Sequence, residues 1–235
     1  MKGFRSWILW QNDDYVLVNK PAGVASLHER SGSGEESLLE QARRIYPDPM
    51  LCHRLDRDTS GVLAIALNPV AYRHLAMQFE ARTVEKIYHC IVEGALQFNA
   101  FDVDLPINTD DPLRIRIDRR NGKPARTIFD TLEVFRHFTL MQAKPFTGRM
   151  HQIRVHLASQ NARIAGDLQY GGKQHFLSEI KRHVSGDDSP LMRRFALHAR
   201  CLAFQLPDGT LQSTEAPYPR DMEVMLKLLR KYDLP

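Results

Sequence analysis

The most informative chemical groups of this chain lie in residues 53–61, which read His-Arg-Leu-Asp-Arg-Asp-Thr-Ser-Gly. Asp56 precedes the turn-prone residues 58–61, and the apolar run 62–67 follows directly. A carboxylate on a tight loop that leads into a buried strand is held rigidly while its oxygens face outward, as a positioned nucleophile or base requires. An ordinary loop, in which Asp and Thr side chains bond to the backbone, is the alternative interpretation.

Further polar segments follow a defined order along the chain. They are residues 18–23 (VNKPAG), 86–88 (KIY), 122–127 (GKPART), 147–157 (TGRMHQIRVHL) and the element 164–172 after it. Together with residues 53–61, these segments resemble the motifs of the RluA-type pseudouridine synthases, which isomerise uridine within RNA. The resemblance covers nearly the whole chain. Residues 26–37 and 173–194 match no motif of the family, so the choice of substrate stays open.

The resemblance implies a reaction and assigns Asp56 a role in it. Isomerising uridine requires the glycosidic bond to break, the base to turn and a new bond to form through carbon 5 of the base. Asp56 is expected to act at the junction of sugar and base. The carboxylate attacks the ribose, attacks the base ring or removes a ribose proton. All three routes stay open, and all three need the carboxylate ionised.

Two further catalytic positions follow from the resemblance. Arg154 is the expected ion-pair partner of Asp56, because a neighbouring cation keeps a carboxylate charged in a dry pocket. Tyr88 is expected to stack on the uracil, and its hydroxyl can carry the proton lost from carbon 5. Without the surrounding motifs, Arg154 would be interpreted as an exposed helical arginine and Tyr88 as a core residue.

The resemblance also predicts which side chains contact RNA. Arg54 is expected to fill the space vacated when the target uridine is extruded from a folded RNA, with a simple phosphate contact as the alternative. The other candidates for contacts with the RNA backbone are Lys20, Lys86, Lys123, Arg126 and Arg149. Lys86 can equally form a structural salt bridge. The expected partner is a ribosomal or transfer RNA.

Two rival functions remain as alternatives. Residues 56–59, Asp-Arg-Asp-Thr, superficially resemble the DxDxT of magnesium-dependent aspartyl phosphatases, but that motif normally ends an apolar strand, whereas here the apolar strand follows it. Magnesium-dependent hydrolysis of a phosphomonoester would favour this class. A non-catalytic RNA-binding protein is the second rival. Since binding does not need Asp56, Tyr88 or Arg154, their joint presence favours the enzyme.

The composition indicates an ordinary globular protein. Of 235 residues, 43% are apolar and 26% charged, and the longest aliphatic run, residues 62–67, is far shorter than a membrane span. Three widely spaced cysteines without a CxxC pair are typical of a reducing compartment and favour neither disulfides nor zinc. No signal peptide, phosphate loop or metal-binding carboxylate cluster is visible. We therefore expect a cytoplasmic protein without membrane, metal or cofactor.

Positive charge is clustered rather than large, since the net charge is only +4. Between residues 114 and 126, six basic side chains accompany the single acid Asp118. Clustered cations favour polyanion binding because phosphates release counterions when they are neutralised. A solvated charged surface is the alternative, and the cluster alone does not decide between them.

The elements that position these residues are predicted from periodicity. Strands are expected over residues 14–20, 86–93, 128–135 and 138–144, with a hairpin around 202–211, and helices over 37–45, 69–82, 150–160 and 221–231. Strands joined mostly by hairpins favour an α+β fold with a mixed, mainly antiparallel sheet, and the resemblance implies flanking helices and a central active-site cleft. We expect one catalytic domain over residues 1–235, monomeric and without an N-terminal accessory RNA-binding domain.

Overall fold

The computed structural model describes residues 3–28, 36–181 and 189–235. Its helices are α1 (Leu38–Arg43), α2 (Pro69–Glu80), α3 (Gln152–Ser159), α4 (Leu177–Ile180) and α5 (Arg220–Tyr232). Its strands are β1 (Ile8–Gln11), β2 (Tyr15–Lys20), β3 (Met50–Leu51), β4 (Ser60–Ala66), β5 (Glu85–Glu93), β6 (Phe101–Asp104), β7 (Ile107–Asn108), β8 (Arg116–Ile117), β9 (Arg126–Val134), β10 (Phe138–Pro145), β11 (Leu197–Gln205) and β12 (Leu211–Glu215). Short 3-10 helices cover Phe4–Trp7 and Leu168–Tyr170.

The chain divides into two compact units. The first comprises Met1–Ile87 and His198–Tyr218, and the second comprises Tyr88–Leu197 and Pro219–Pro235. Asp56 therefore belongs to the first unit, whereas Tyr88 and Arg154 belong to the second. The single catalytic domain expected over residues 1–235 stays a prediction.

The first unit is built on a mixed sheet. Its strand order is β1-β2-β4-β11, with β3 paired to β4 and β12 paired to β11. The pairing of β4 with β11 is parallel, and the other pairings are antiparallel. Strand β4, which follows the Asp56 loop, is buried along its whole length, as expected for a strand with both faces covered. The Asp56 loop therefore leads into the best-protected strand of this unit.

Helix α2 packs on this sheet through its apolar side. Asn68 caps its first turn by accepting a hydrogen bond from the Ala71 amide, and Pro69 occupies the first helical position, where its missing N–H costs nothing. Ala71 and Leu75 join the core formed with β2, β4 and β11. The buried Tyr15 hydroxyl donates to the Ala71 carbonyl at 2.8 Å, which satisfies its polar end.

The second unit contains an antiparallel sheet and a separate small hairpin. Its sheet has the order β5-β10-β9-β6. Strands β7 and β8 form a separate antiparallel pair, and Ile107 of β7 also bridges to Lys123. Helix α3 begins after His151, whose φ of 53° lies in the left-handed region. This conformation makes a sharp entry into the helix that carries Arg154. Such strain in a residue with a side chain is uncommon and is often found at functional sites.

The predicted α+β class with a mixed, mainly antiparallel sheet is confirmed. The predicted main strands and helices are present with ends shifted by a few residues. Strands β1, β3, β6, β7 and β8 and helix α4 were missed, because such short elements carry too little periodicity to be recognised. Three segments named in the sequence analysis lie partly outside the described residues. They are the unassigned loop 26–37, the segment 173–194 and the basic residues 181–183. Within the described part of the chain, no helix is both long and apolar enough to cross a bilayer.

Candidate active site

Asp56 lies on the turn between β3 and β4 and is half-buried. The Thr59 amide donates to the Asp56 carbonyl at 3.1 Å, which closes the turn. On the preceding side, one hydroxyl holds the backbone of Leu55. Ser26 Oγ donates to the Leu55 carbonyl at 2.8 Å and accepts from the Leu55 amide at 3.1 Å. Because Leu55 is itself buried, the backbone that leads to Asp56 has little freedom.

Lys20 holds the other side of this turn from inside the protein. Its side chain is fully buried, and Nζ donates to the carbonyls of Pro21 at 3.0 Å, Val24 at 2.7 Å and Arg57 at 2.9 Å. A second link joins the same segments, since the Gly23 amide donates to the Arg57 carbonyl at 3.0 Å. The RNA contact predicted for Lys20 does not agree with this burial, and we assign Lys20 to the turn instead.

A buried histidine holds the start of β4, and sequence reasoning missed it. Ser60 pairs with His198 in the parallel register of β4 and β11, and Ser60 Oγ lies 2.9 Å from His198 Nδ1. His198 Nε2 lies 3.2 Å from the Ala216 carbonyl, which can only accept a hydrogen bond. Nε2 therefore carries a proton and, in the neutral ring, Nδ1 accepts from the Ser60 hydroxyl. The only available signal was a polar residue in the apolar run 195–199.

Gly61 allows β11 to pass close to this strand. Its φ is 117°, and a Cβ at this position would lie 2.1 Å from the Ala199 carbonyl oxygen. No side chain fits there without moving the backbone of β11. The TSG end of the motif is therefore required by close strand packing as well as by turn geometry.

His53 and Lys86 form a second cluster in the first unit. The Ala64 amide donates to His53 Nε2 at 3.0 Å, and burial together with the Lys86 charge lowers the pKa of His53 to about 3. The His53 ring lies 4.9 Å from the Phe79 ring, and Lys86 Nζ lies 5.9 Å from the same ring. Burial, and then the Arg82 charge, lower the pKa of Lys86 to about 8. His53 is therefore a neutral structural acceptor.

Arg154 in the second unit is buried and strongly oriented. Its Nε and Nη2 donate to the two carboxylate oxygens of Asp167 at 2.6 and 2.7 Å, and Nη2 also donates to Gln169 at 3.0 Å. The guanidinium carbon also lies 4.2 Å from the centre of the Phe195 ring and 4.9 Å from the centre of the Tyr170 ring. The alternative of an exposed helical arginine is therefore wrong, while the ion pair predicted with Asp56 stays a prediction.

Gln152 joins two of the sequence motifs at the start of α3. Its Oε1 accepts from Thr147 Oγ1 at 2.7 Å and from the Arg149 amide at 3.0 Å. Its Nε2 donates to the Arg126 carbonyl at 3.0 Å and to Thr127 Oγ1 at 2.9 Å. The amide of Gln152 thus ties the TGR turn to the GKPART strand, and this fixes where α3 begins.

The remaining predicted residues differ in how available they are for RNA. Tyr88 is half-buried on β5, opposite Ala143 of β10, and Arg54 is exposed in the first unit. Lys123 is also exposed, with Nζ 4.0 Å from Asp110. Arg149 is partly buried and donates from Nε to the Pro124 carbonyl at 3.1 Å.

Arg126 is already paired with a carboxylate. Its Nε and Nη2 donate to Asp102 at 3.0 and 2.8 Å, and its guanidinium lies 4.9 Å from the centre of the Phe146 ring. The Asp102 carboxylate raises the pKa of Arg126, as expected for a charge-assisted pair. A phosphate that binds Arg126 must share it with Asp102.

Residues 3–28, 36–181 and 189–235 contain no group of three or more His, Cys, Asp or Glu side chains placed to hold a metal ion. Residues 14–159 match the protein family described as RNA pseudouridylate synthase. The chain belongs to this family. The match to the RNA pseudouridylate synthases includes Asp56, Tyr88 and Arg154 and ends before His198.

Similar proteins extend the likeness over nearly the whole chain. Ribosomal large subunit pseudouridine synthase C of Vibrio parahaemolyticus is 36% identical over 228 residues, which cover 95% of this chain and 69% of the relative. Ribosomal large subunit pseudouridine synthase D of Neisseria meningitidis is 34% identical and is matched over 61% of its length, again by 95% of this chain. The chain thus spans roughly two thirds of these relatives.

A solved structure shows the same fold. Human RNA pseudouridylate synthase domain containing 4 has a TM-score of 0.75 and 25% sequence identity, with 97% of this chain and 94% of that chain covered. The predicted family and activity are therefore confirmed. This RNA pseudouridine synthase is an isomerase that acts on uridine in RNA.

Proposed function

We propose that this enzyme isomerises one uridine in the RNA of the large ribosomal subunit and that Asp56 acts at its sugar–base junction. Relatives from Vibrio and Neisseria that are named ribosomal large subunit pseudouridine synthases support this choice of RNA. Transfer RNA is the alternative substrate, and an experiment on cellular RNA distinguishes the two.

The anchoring of the Asp56 turn is the observation that carries the catalytic assignment. Buried hydrogen bonds hold the backbone at Leu55 through Ser26 and at Arg57 through Lys20, while His198 holds Ser60. The polar contacts thus hold the residues on both sides of the half-buried carboxylate. This is the arrangement that a nucleophile or base needs, because catalytic geometry tolerates errors of only about 0.5 Å.

The reaction is balanced within the nucleotide. The bond from N1 of the base to C1′ of the ribose breaks, the base turns, and C5 forms the new bond to C1′. C5 then loses its proton, and N1 gains one, so no oxidant, reductant or second substrate is required. An ionised Asp56 can drive bond breakage by any of the three routes, and Tyr88 is the proposed carrier of the C5 proton.

Arg154 is the proposed electrostatic partner in this reaction. Asp167 and the two flanking rings fix the direction of its guanidinium, and they leave it little conformational entropy to lose when a further anion approaches. A fixed cation stabilises an ionised carboxylate or a developing negative charge better than a mobile one. Arg54 is the proposed side chain that fills the space left by the extruded uridine.

We further propose that one catalytic domain works as a monomer in the cytoplasm, without a metal or cofactor. The reaction supplies its own atoms and needs no oxidant, reductant or second substrate. Activity on a transcribed RNA is expected to be unchanged after exhaustive treatment with EDTA. Loss of activity that returns with one divalent metal, while the folding of the RNA stays constant, would overturn this part of the proposal.

The decisive variant for the catalytic assignment is Asp56→Asn. It keeps the size of the side chain and removes its negative charge, so turnover is expected to fall by at least about 10³-fold while the RNA affinity stays within about twofold. Asp48→Asn, the same change at an exposed position, is the control and is expected to be neutral. Appreciable isomerisation by Asp56→Asn under single-turnover conditions would exclude the assignment.

The substrate is identified by mapping pseudouridine across total cellular RNA. Strains that express the wild-type enzyme, lack it or carry Asp56→Ala are compared. One position lost in both altered strains would identify the nucleotide, and its location in ribosomal or transfer RNA would decide the substrate class. A loss in the deletion strain alone would leave the substrate assigned and remove Asp56 from the mechanism.

A further inference from the structure

We propose that the hairpin of β7 and β8 with its flanking turns, residues 107–123, is a docking arm that binds the phosphate backbone of the RNA substrate. We call it the arginine hairpin. Its ligand groups are the guanidinium groups of Arg114, Arg119 and Arg120, none of which is assigned above. The inference rests on RNA being the substrate and is independent of the role of Asp56.

The arginines of this hairpin are exposed and available. Arg114, Arg116, Arg119 and Arg120 all lie at the surface. Within the described part of the chain, no carboxylate lies within 4.0 Å of Arg114, Arg119 or Arg120, and Arg116 only approaches Asp118 at 4.0 Å. Solvated guanidinium groups without carboxylate partners bind phosphates without first breaking an ion pair.

Asp118, the one acid of the run 114–126, supports the turn instead of neutralising these arginines. Its Oδ1 accepts from the amides of Arg120 and Asn121, both at 3.0 Å, and its Oδ2 accepts from Asn108 Nδ2 at 3.1 Å. These hydrogen bonds lower the pKa of Asp118. The carboxylate thus fixes the backbone between Arg119 and Asn121. With Asp110 and Asp111, residues 107–123 hold three acids against five basic side chains, which leaves a net charge of +2.

The backbone that follows the arginines is tightly packed. The Gly122 amide donates to the Asp118 carbonyl at 2.8 Å. A Cβ on Gly122 would lie 2.4 Å from that carbonyl oxygen and 2.8 Å from the Pro106 carbonyl carbon. Only glycine permits this closure, so the positions of Arg119 and Arg120 are set by the fold.

An apolar core attaches the hairpin to α3. Ile107 and Ile115 are buried together with Ala125 and Val155, and Ile117, Met150 and Tyr170 pack against them. Val155 lies on the helix next to Arg154, and the Tyr170 ring lies 4.9 Å from the Arg154 guanidinium. The hairpin therefore turns its isoleucines inward and its arginines outward, as a rigid basic surface requires.

The test compares two variants, each of which lacks three positive charges: one variant loses them in the hairpin and the other loses them elsewhere on the surface. The hairpin variant combines Arg114→Ala, Arg119→Ala and Arg120→Ala, and the matched control combines Arg43→Ala, Arg73→Ala and Lys227→Ala. The control side chains are exposed and lie on helices α1, α2 and α5. Both variants lower the net charge by the same amount, so a difference in RNA affinity between them shows that the location of the charges matters. The probe is unmodified transcribed large-subunit ribosomal RNA at salt concentrations between about 50 and 200 mM.

Three lost phosphate contacts are expected to reduce the slope of log affinity against log salt by about 2 to 3 in the hairpin variant. Near 100 mM salt this corresponds to a loss of affinity on the order of 100-fold. Turnover at saturating RNA is expected to stay near the wild-type value, and the control variant is expected to keep the wild-type slope. Asp56→Asn is also expected to keep the wild-type salt slope. A wrong catalytic assignment for Asp56 can therefore be told apart from a wrong assignment of the hairpin to RNA binding.

Two results would overturn the proposal. One is an unchanged salt slope in the hairpin variant, which would leave the arginines as a solvated surface or as a site for another partner. The other is an equal loss in the control variant, which would make the effect one of net charge alone. A hairpin variant with all three arginines changed to lysine keeps the charge and is expected to keep most of the slope. Its failure to do so would exclude an electrostatic arm.

Discussion

The Asp56 turn and the arginine hairpin both carry ionisable side chains, but different interactions hold their backbones. The Asp56 turn depends on buried polar groups, and Lys20, Ser26 and His198 each donate or accept in a fixed direction. The hairpin depends on a small apolar core around Ile107 and Ile115, which is less directional.

This difference indicates different tasks. Hydrogen bonds with short, directed geometry position a reacting group closely, and a misplacement of about 1 Å can cost about 100-fold in rate. Phosphate binding by clustered charges tolerates larger displacements, because its energy changes slowly with distance. Changes to the anchors of the turn should therefore lower kcat, and changes to the hairpin should lower affinity.

Lys20→Met should have the largest effect on the Asp56 turn. Without its ammonium group, three part-buried carbonyls lose their donor, and each buried acceptor left without a partner costs about 1–3 kcal/mol. We expect kcat to fall by about 100-fold or more and urea unfolding to show the matching loss of stability. Lys227→Met, at an exposed lysine of α5, is the control. A selective loss of RNA affinity with normal kcat would instead restore the predicted phosphate contact for Lys20.

Substitutions of His198 separate its two hydrogen bonds. His198→Asn keeps an acceptor near Nδ1 for Ser60, whereas His198→Gln keeps only a donor near Nε2 for Ala216. If the bond to Ser60 positions the turn, His198→Gln and Ser60→Ala should each lower kcat by about 10-fold with KM unchanged. The Asn variant should recover most of the rate.

A double variant sharpens this result. Adding His198→Gln to Ser60→Ala should lower kcat no further, because both changes remove the same interaction. Additive losses, or an increase in KM that accompanies a lower Tm, would indicate that His198 only stabilises the fold.

The pH dependence of the free energy of unfolding tests whether Lys86 is buried in the first unit. Its pKa is lowered to about 8 in the folded protein, so at pH 7 the folded state holds a charge that is less favourable there than in the unfolded chain. Between pH 8 and its unfolded value of about 10.4, the unfolded state binds more protons, and stability rises with pH. From pH 7 to 9 we expect the free energy of unfolding to rise by about 1 kcal/mol relative to Lys86→Met. Equal pH dependence in both proteins would contradict the lowered pKa.

Arg126→Ala should have the smallest effect on RNA binding, and it tests which arginines bind phosphate. Because Asp102 already pairs with Arg126, removal of the arginine should change the salt slope by less than one phosphate contact and the affinity by about twofold. Arg119→Ala, at an arginine without such a partner, should change the slope by about 0.7 to 0.9. If instead Arg126→Ala changes the salt slope more than Arg119→Ala does, Arg126 is the main phosphate ligand and the hairpin is a solvated surface.

Most of the main elements could be predicted because their signals are local. The run 62–67 specified a buried strand, and the spacing of apolar residues predicted a helix over residues 69–82, where α2 begins at Pro69. The α+β class followed from the spacing of strands and turns. Strands β7 and β8 could not be found in this way, since two residues each carry no period, and their pairing depends on Asp118 and Gly122.

The candidate site was predicted by residue type and not by environment. Lys20 was predicted to contact the RNA backbone, but its Nζ donates to the nearby carbonyls of Pro21 and Val24 and to the distant carbonyl of Arg57. His198 was missed because its partner Ser60 is 138 residues away. Arg126 and Arg119 are alike in sequence, and only the position of Asp102 on β6 makes one of them paired.

The sequence alone determined the family, the order of the motifs and the chemical groups present, because these depend on residue identity and short spacing. Tertiary structure decided which charges are buried, which are paired and which remain open to RNA. Lys20, Arg154 and Arg119 are all cations in polar motifs or basic runs, yet one holds a turn, one is locked to Asp167 and one is exposed. The reason is physical: the free energy of a charge depends on the atoms within a few ångströms of it, and folding brings those atoms from distant parts of the chain.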